Sequence, residues 1–130
     1  DCSQIVFSQV APQLGLPEEE AKKIAACFGG GMWCGSTCGA VTGALLAIGY
    51  RYGHSTPNCA EQKEHMMQKL KQFQQRFLEE NGDIHCAHLL GYNLSIPQEM
   101  ACIQQQNLLA TKCPGYVSSS LQILKEVLSQ

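Results

Sequence analysis

Five glycines fall within the eleven residues from Gly29 to Gly39, and no other feature of the chain limits its fold as strongly. The stretch reads Phe28-Gly29-Gly30-Gly31-Met32-Trp33-Cys34-Gly35-Ser36-Thr37-Cys38-Gly39-Ala40-Val41-Thr42-Gly43. Ordering a glycine costs more backbone entropy than ordering any other residue, so this density implies that other backbone comes close here. Ser36 or Thr37 is suited to cap a helix, and the residues after them predict one from about Cys38 to Tyr52. Gly39, Gly43 and Ala47 then recur every four residues as a smooth ridge against which a second helix can lie unusually near. Val41, Leu45 and Ile48 supply a larger packing surface. The helix is thus apolar nearly all round and is expected at the centre of the fold. Cys38 falls in its first turn, where unpaired amide N–H groups and the helix dipole favour a thiolate over a thiol. The alternative for Cys38 is a small buried residue at a glycine-lined helix contact.

The chain's 130 residues suffice for one domain, 1–130, with a core of its own. With 45% hydrophobic and only 15% charged residues, it reads as globular and not disordered. A net charge of −2 speaks against a nucleic-acid surface. The longest apolar stretch, around 40–50, is too short to span a bilayer, and neither a signal peptide nor a transit peptide is visible. Cysteines stand at 2, 27, 34, 38, 59, 86, 102 and 113. An even count is compatible with a disulfide scaffold, but the strongly periodic helices need no staples. Free thiols in a reducing, cytoplasmic compartment are the expectation.

The hydrophobic periodicity predicts helices throughout. The first covers 2–14, with Ile5, Val6, Gln9 and Val10 near one face and Pro12 fraying its end. Pro17 and Glu18, Glu19 and Glu20 open a second, running to about Phe28, with Ala21, Ile24, Ala25 and Phe28 inward. A long amphipathic helix follows the central one, from Pro57, capped by Thr56, to Asn81. Met66, Leu70, Phe73 and Phe77 form its inner stripe, and Lys63, Lys69, Lys71, Gln75 and Glu79 face solvent. A short element at 84–90 carries Cys86, another segment spans about 97–110, and Pro114 begins the last helix just after Cys113. Val117, Leu121, Leu124 and Leu128 point inward from it. No stretch alternates as a strand would. The expected class is all-α, a compact bundle of about five to seven helices around the glycine-rich one.

Gly30-x4-Gly35-Ser36-Thr37 resembles a phosphate-binding loop only superficially. Ser36 stands where the phosphate-reaching lysine is needed, and no strand precedes it. No Cys-x2-Cys pair exists, the tightest spacing being Cys34-x3-Cys38, so a metal site requires sulfurs brought together from distant helices. His54, His65, His85 and His88 are available to join such a site, although a histidine on an exposed turn is more often polar surface.

Cys2-Ser3-Gln4, the Phe28–Gly31 loop, the intact Cys38-Gly39-Ala40-x-x-Gly43 core, Cys86 and Cys113 resemble the C_GCAxxG_C_C family, to which a redox role is ascribed. The likeness covers essentially the whole chain. It implies a small helical protein with four characteristic cysteines, corresponding to Cys2, Cys38, Cys86 and Cys113. Cys27, Cys34, Cys59 and Cys102 lie outside that pattern, and Cys27 and Cys102 suit small core positions. Helix ends, where backbone amides stabilise a thiolate, are also where the predicted elements set the four.

Two redox mechanisms follow. In one, the four cysteines ligate an iron–sulfur cluster, with Gly29, Gly30, Gly31 and Cys34 lining the cofactor, and the protein passes single electrons to a redox partner. In the other, two of them cycle between dithiol and disulfide with no cofactor, Cys38 attacking. A non-catalytic module, holding a small ligand or partner at the Gly29–Gly31 loop and Trp33, is the alternative of another class. Either redox mechanism requires Cys2, Cys38, Cys86 and Cys113 to meet in space.

Overall fold

The ridge of the glycine-rich helix decides how its neighbours pack. In the computed structural model, which describes residues 1–129, the helices are α1 (Cys2–Val10), α2 (Glu18–Ala25), α3 (Gly39–Tyr52), α4 (Ala60–Asn81), α5 (Cys86–Leu90), α6 (Pro97–Gln105) and α7 (Leu108–Leu128). The described residues contain no strand, and their one extended pairing is an antiparallel bridge between Thr37 and His85. The fold is all-α. No helix among the described residues is long and apolar enough to cross a membrane.

α3 is central, touching α1, α4 and α7, with Ala40, Val41, Ala44 and Ala47 fully buried. α1 rests directly on its ridge. A Cβ on Gly43 would stand 2.7 Å from the Ser3 carbonyl oxygen, and one on Gly39 would stand 3.0 Å from the Ser3 nitrogen. The Ser3 hydroxyl is buried and donates to the Ala25 carbonyl at 2.8 Å, which ties α1 to the end of α2. The other walls of the core are Val6 and Phe7 from α1, Phe73 and Phe77 from α4, and Ile123, Leu124 and Val127 from α7. Each such side chain contributes roughly 1.5–3 kcal/mol when fully buried. A smaller cluster of Cys86, Leu90, Ile103 and Leu108 joins α5 and α6 to the start of α7.

Several local expectations give way to tertiary contacts. α3 begins at Gly39 with Cys38 itself as the N-cap residue, not Ser36 or Thr37. α1 ends at Val10 and continues as a 3-10 turn, Ala11–Leu14, because Pro12 has no N–H to extend the α-helical ladder. α4 starts at Ala60, not Pro57, and Thr56 spends its hydroxyl on the Cys59 sulfur at 2.6 Å instead of on a helix amide. Pro114 starts nothing: it lies inside α7, where its lost hydrogen bond frees the carbonyl of Ala110, a solvent-exposed position. The preceding segment breaks instead at Asn107, whose φ of 56° is a left-handed conformation that asparagine tolerates. Ile5 and Ile24, expected near inner faces, are 42% and 48% exposed. Cys27 is exposed and Cys102 half-buried, so neither is the core residue expected. Lys69, expected in solvent, is buried, with its ammonium 3.4 Å from the Val127 carbonyl at the negative end of α7.

The ridge contact generates a paired prediction. Gly43→Ala is expected to cost about 1–3 kcal/mol through overpacking against Ser3. Gly49→Ala meets nothing within 4 Å and should gain up to about 1 kcal/mol from helix propensity. Denaturant unfolding of both variants checks this; an unchanged midpoint for Gly43→Ala would mean that α1 does not rest on the ridge.

Candidate functional site

The loop before α3 takes a course open to few sequences. Gly30, Gly31, Met32 and Trp33 all have φ between 56° and 64°, a full turn of left-handed helix. Glycine adopts this without penalty, whereas each L-residue in it costs about 1–2 kcal/mol. Met32 and Trp33 are held there by their surroundings: the Trp33 indole N–H donates to the Ala26 carbonyl at 3.1 Å, and its backbone N–H to Gly29 at 2.9 Å. Gly31 also leaves room for Cys86, since a Cβ on it would stand 2.9 Å from the Cys86 Cβ. Gly29 does the same for Asp1, whose Cβ would be 2.9 Å away.

The turn delivers residues 36–38 to the segment before α5. The Cys38 amide donates to the Ile84 carbonyl at 2.7 Å, and the Cys86 amide to the Ser36 carbonyl at 2.6 Å. These two bonds bring Cys38 and Cys86 to one place. Cys2 arrives with α1, its Cβ only 3.2 Å from where a Cβ on Gly39 would be. α7 supplies Cys113. It is fixed by Ser120 donating to the Ala40 carbonyl at 2.7 Å and by the Tyr116 hydroxyl donating to the Leu89 carbonyl at 3.0 Å.

The result is a cavity of about 690 Å³ that all four cysteines line. Its walls are otherwise mostly apolar, with Leu89, Leu90, Leu94, Met100, Val117 and Leu121 among them. Gly30 and Trp33 border it as well, whereas Gly29, Gly31 and Cys34 do not. Cys34 is exposed and turns its sulfur to the Gly31 carbonyl at 3.3 Å. Gly29 and Gly31 therefore shape the site by admitting Asp1 and Cys86 without reaching it. All eight cysteines are free thiols.

The four thiols are electrostatically unequal. The neighbouring Cys113 thiol, more than any other influence, draws the Cys2 pKa down to about 7 against the opposing effect of burial. The nearness of Cys2, followed by burial, pushes Cys113 up. Cys86 is raised to about 11 by burial and by its nearness to Cys2. The thiolate expected at Cys38 is corrected here. The amides of Ala40 and Val41 do favour its ionised form, but burial outweighs them and the thiol is pushed up to about 12. Position at a helix start was legible from sequence, whereas the depth of burial and the Cys2–Cys113 pairing were not. The family motif marks Cys2 and Cys113 as members of one set that must meet, but nothing in it says which two of the four influence each other most.

Over residues 1–127 the chain matches the family described as "Putative redox-active protein (C_GCAxxG_C_C)". It belongs to that family. No curated protein and no solved structure matches it. Membership gives the cysteine-lined cavity a redox context and leaves its chemistry to be argued from the residues.

Alkylation rates should reveal the inequality. At pH 7 iodoacetamide is expected to modify Cys2 while Cys38 and Cys86 stay intact, and Cys113→Ala should move the Cys2 titration upward toward the ordinary value of 9.0. Mass mapping that finds Cys38 modified before Cys2 would contradict this. Stability carries a second signature. A folded-state pKa above the unfolded one leaves the Cys38 contribution whole below pH 9.0 and removes it as pH rises toward about 12. The stability advantage of the wild type over Cys38→Ser should therefore shrink across that window, by up to about 4 kcal/mol.

Proposed function

We propose that Cys2, Cys38, Cys86 and Cys113 together ligate an iron–sulfur cluster and that the protein passes single electrons to a redox partner. One observation carries the reading: four cysteines from α1, the start of α3, α5 and α7 line one apolar-walled cavity. Four thiolates are the usual donor set for such clusters. Bound there, the group would supply one-electron transfer at a potential tuned by burial and by hydrogen bonds to its sulfurs.

The chain's own residues have separable tasks. Cys2, largely ready to ionise near neutral pH, is the first sulfur able to bind. Cys38, Cys86 and Cys113 hold their protons until ligation displaces them, so loading is favoured as pH rises. The Ala40 and Val41 amides stabilise negative charge on Cys38. Leu89, Leu90 and Val117 keep water from the sulfurs. Ile5, Trp33 and Leu109 border the cavity while remaining 42%, 49% and 41% exposed, which makes this rim the face for a redox partner to meet. A reducing, cytoplasmic setting, in which thiols stay free, accords with this role.

One observation favours a second reading. Cys2 and Cys113 line the same cavity, and Cys113 draws the Cys2 pKa down to about 7, so the pair is suited to thiol–disulfide exchange with Cys2 and not Cys38 as the attacking sulfur, because an attacking thiol works best with a pKa near ambient pH. In that chemistry the Cys2 thiolate attacks a partner disulfide and expels one partner thiolate. Cys113 loses its proton and then displaces the other, so two electrons pass to the partner and a Cys2–Cys113 disulfide remains.

Protein reconstituted anaerobically with iron and sulfide should absorb in the visible and retain both elements through desalting. Serine at any of positions 2, 38, 86 or 113 should abolish or greatly weaken the colour, and Cys102→Ser should leave it nearly intact. Colourless protein that forms a Cys2–Cys113 disulfide would transfer the assignment to the second reading. Colourless protein that forms none would leave a ligand-binding cavity.

A further inference from the structure

A second group of metal-type donors lies on the outer side of α5, away from the cavity. Asp83, His85 and His88 sit within six residues, and one donor atom of each lies within 4.8 Å of the other two. His85 Nδ1 is 2.8 Å from one carboxylate oxygen of Asp83, and His88 Nδ1 is 2.8 Å from the other. The two imidazoles are 5.0 Å apart between ring centres and inclined at 55°, so their nitrogens converge on the carboxylate from two sides. None of the three lines the cysteine cavity, although Cys86 stands between the histidines in sequence.

The backbone holds this arrangement. Asp83 accepts from the Ile84 amide at 2.7 Å and from the His85 amide at 2.9 Å. His85 is fixed by its bridge to Thr37 and serves as the N-cap residue of α5, and His88 follows within that helix. The three side chains are 34%, 49% and 65% exposed, in order, so an ion can reach them and keep open positions. With bonds of about 2.0–2.2 Å, neighbouring ligands of a tetrahedral zinc ion stand about 3.3 Å apart, between the 2.8 Å of the two contacts, which are made to different oxygens of Asp83, and the 4.8 Å within which all three donors lie.

We propose that Asp83, His85 and His88 bind a divalent transition-metal ion of the zinc class, with water in the remaining coordination positions. One carboxylate and two imidazoles form a mixed oxygen–nitrogen donor set that suits such ions over calcium or magnesium. Binding needs no oxidant. Each ring proton directed at Asp83 moves to the far nitrogen of the same ring, or leaves to solvent if the ring was doubly protonated, and the ion takes its place. The site stands apart from the cysteine cavity, so its success or failure says nothing about a cluster there.

The test is histidine-selective NMR of the full chain, titrated with zinc chloride until the spectrum stops changing. The ring signals of His85 and His88 should shift together, those of His54 and His65 should stay in place, and His88→Gln should weaken the ion's hold on His85 at least tenfold. Calcium at the same concentration should move neither. Because Asp83 also receives backbone bonds, Asp83→Asn is the secondary variant and His88→Gln the decisive one. Zinc uptake that leaves both ring signals unmoved, or an affinity unchanged in His88→Gln, would reduce the group to a hydrogen-bonded surface cluster and overturn the proposal.

Discussion

The contact between Ser3 of α1 and the Gly39–Gly43 ridge of α3 is the constraint on which the rest depends. Helices packed through ordinary side chains keep their axes about 8–10 Å apart. Here a Cβ at Gly43 would collide with a carbonyl oxygen at 2.7 Å, so the two backbones meet with nothing between them. That approach sets Cys2 beside the start of α3 and leaves the Ser3 hydroxyl buried, where the Ala25 carbonyl accepts from it. A larger residue on the ridge would push α1 outward, carrying Cys2 away from its partners and Val6 and Phe7 out of the core.

From that contact the site assembles by backbone hydrogen bonding. The left-handed turn at 30–33 redirects the chain so that residues 36–38 pair with 84–86, and the pairing places Cys38 and Cys86 together. Cys113 is added by α7, anchored through Ser120 and Tyr116. The cavity that results imposes its own electrostatics. Helix-start amides pull Cys38 toward ionisation as general chemistry says they should, but the cost of a charge among apolar side chains is larger. Cys2 escapes that outcome because the neighbouring Cys113 thiol favours its ionised form.

The features legible from sequence were those set by local pattern. Gly39, Gly43 and Ala47 announced a close-packed central helix, and the stripe containing Phe73 and Phe77 announced an amphipathic one; both hold. The family motif singled out the four cysteines that share the cavity. What escaped was decided by distant contacts. Pro114 reads as a helix start, yet the exposed carbonyl it frees allows α7 to run through it. Lys69 reads as solvated, yet the end of α7 holds it in the interior. Met32 and Trp33 in left-handed conformations contradict their own preferences, a local conflict of the kind found beside functional sites.

The central claim is that four sulfurs on four separate segments act as one redox centre. Anomalous diffraction at the iron edge, from crystals of anaerobically reconstituted protein, addresses it directly. The account predicts one compact iron peak inside the cavity, bounded by Cys2, Cys38, Cys86 and Cys113. Iron bound elsewhere, or a cavity holding no iron in protein shown to carry it, would contradict that account.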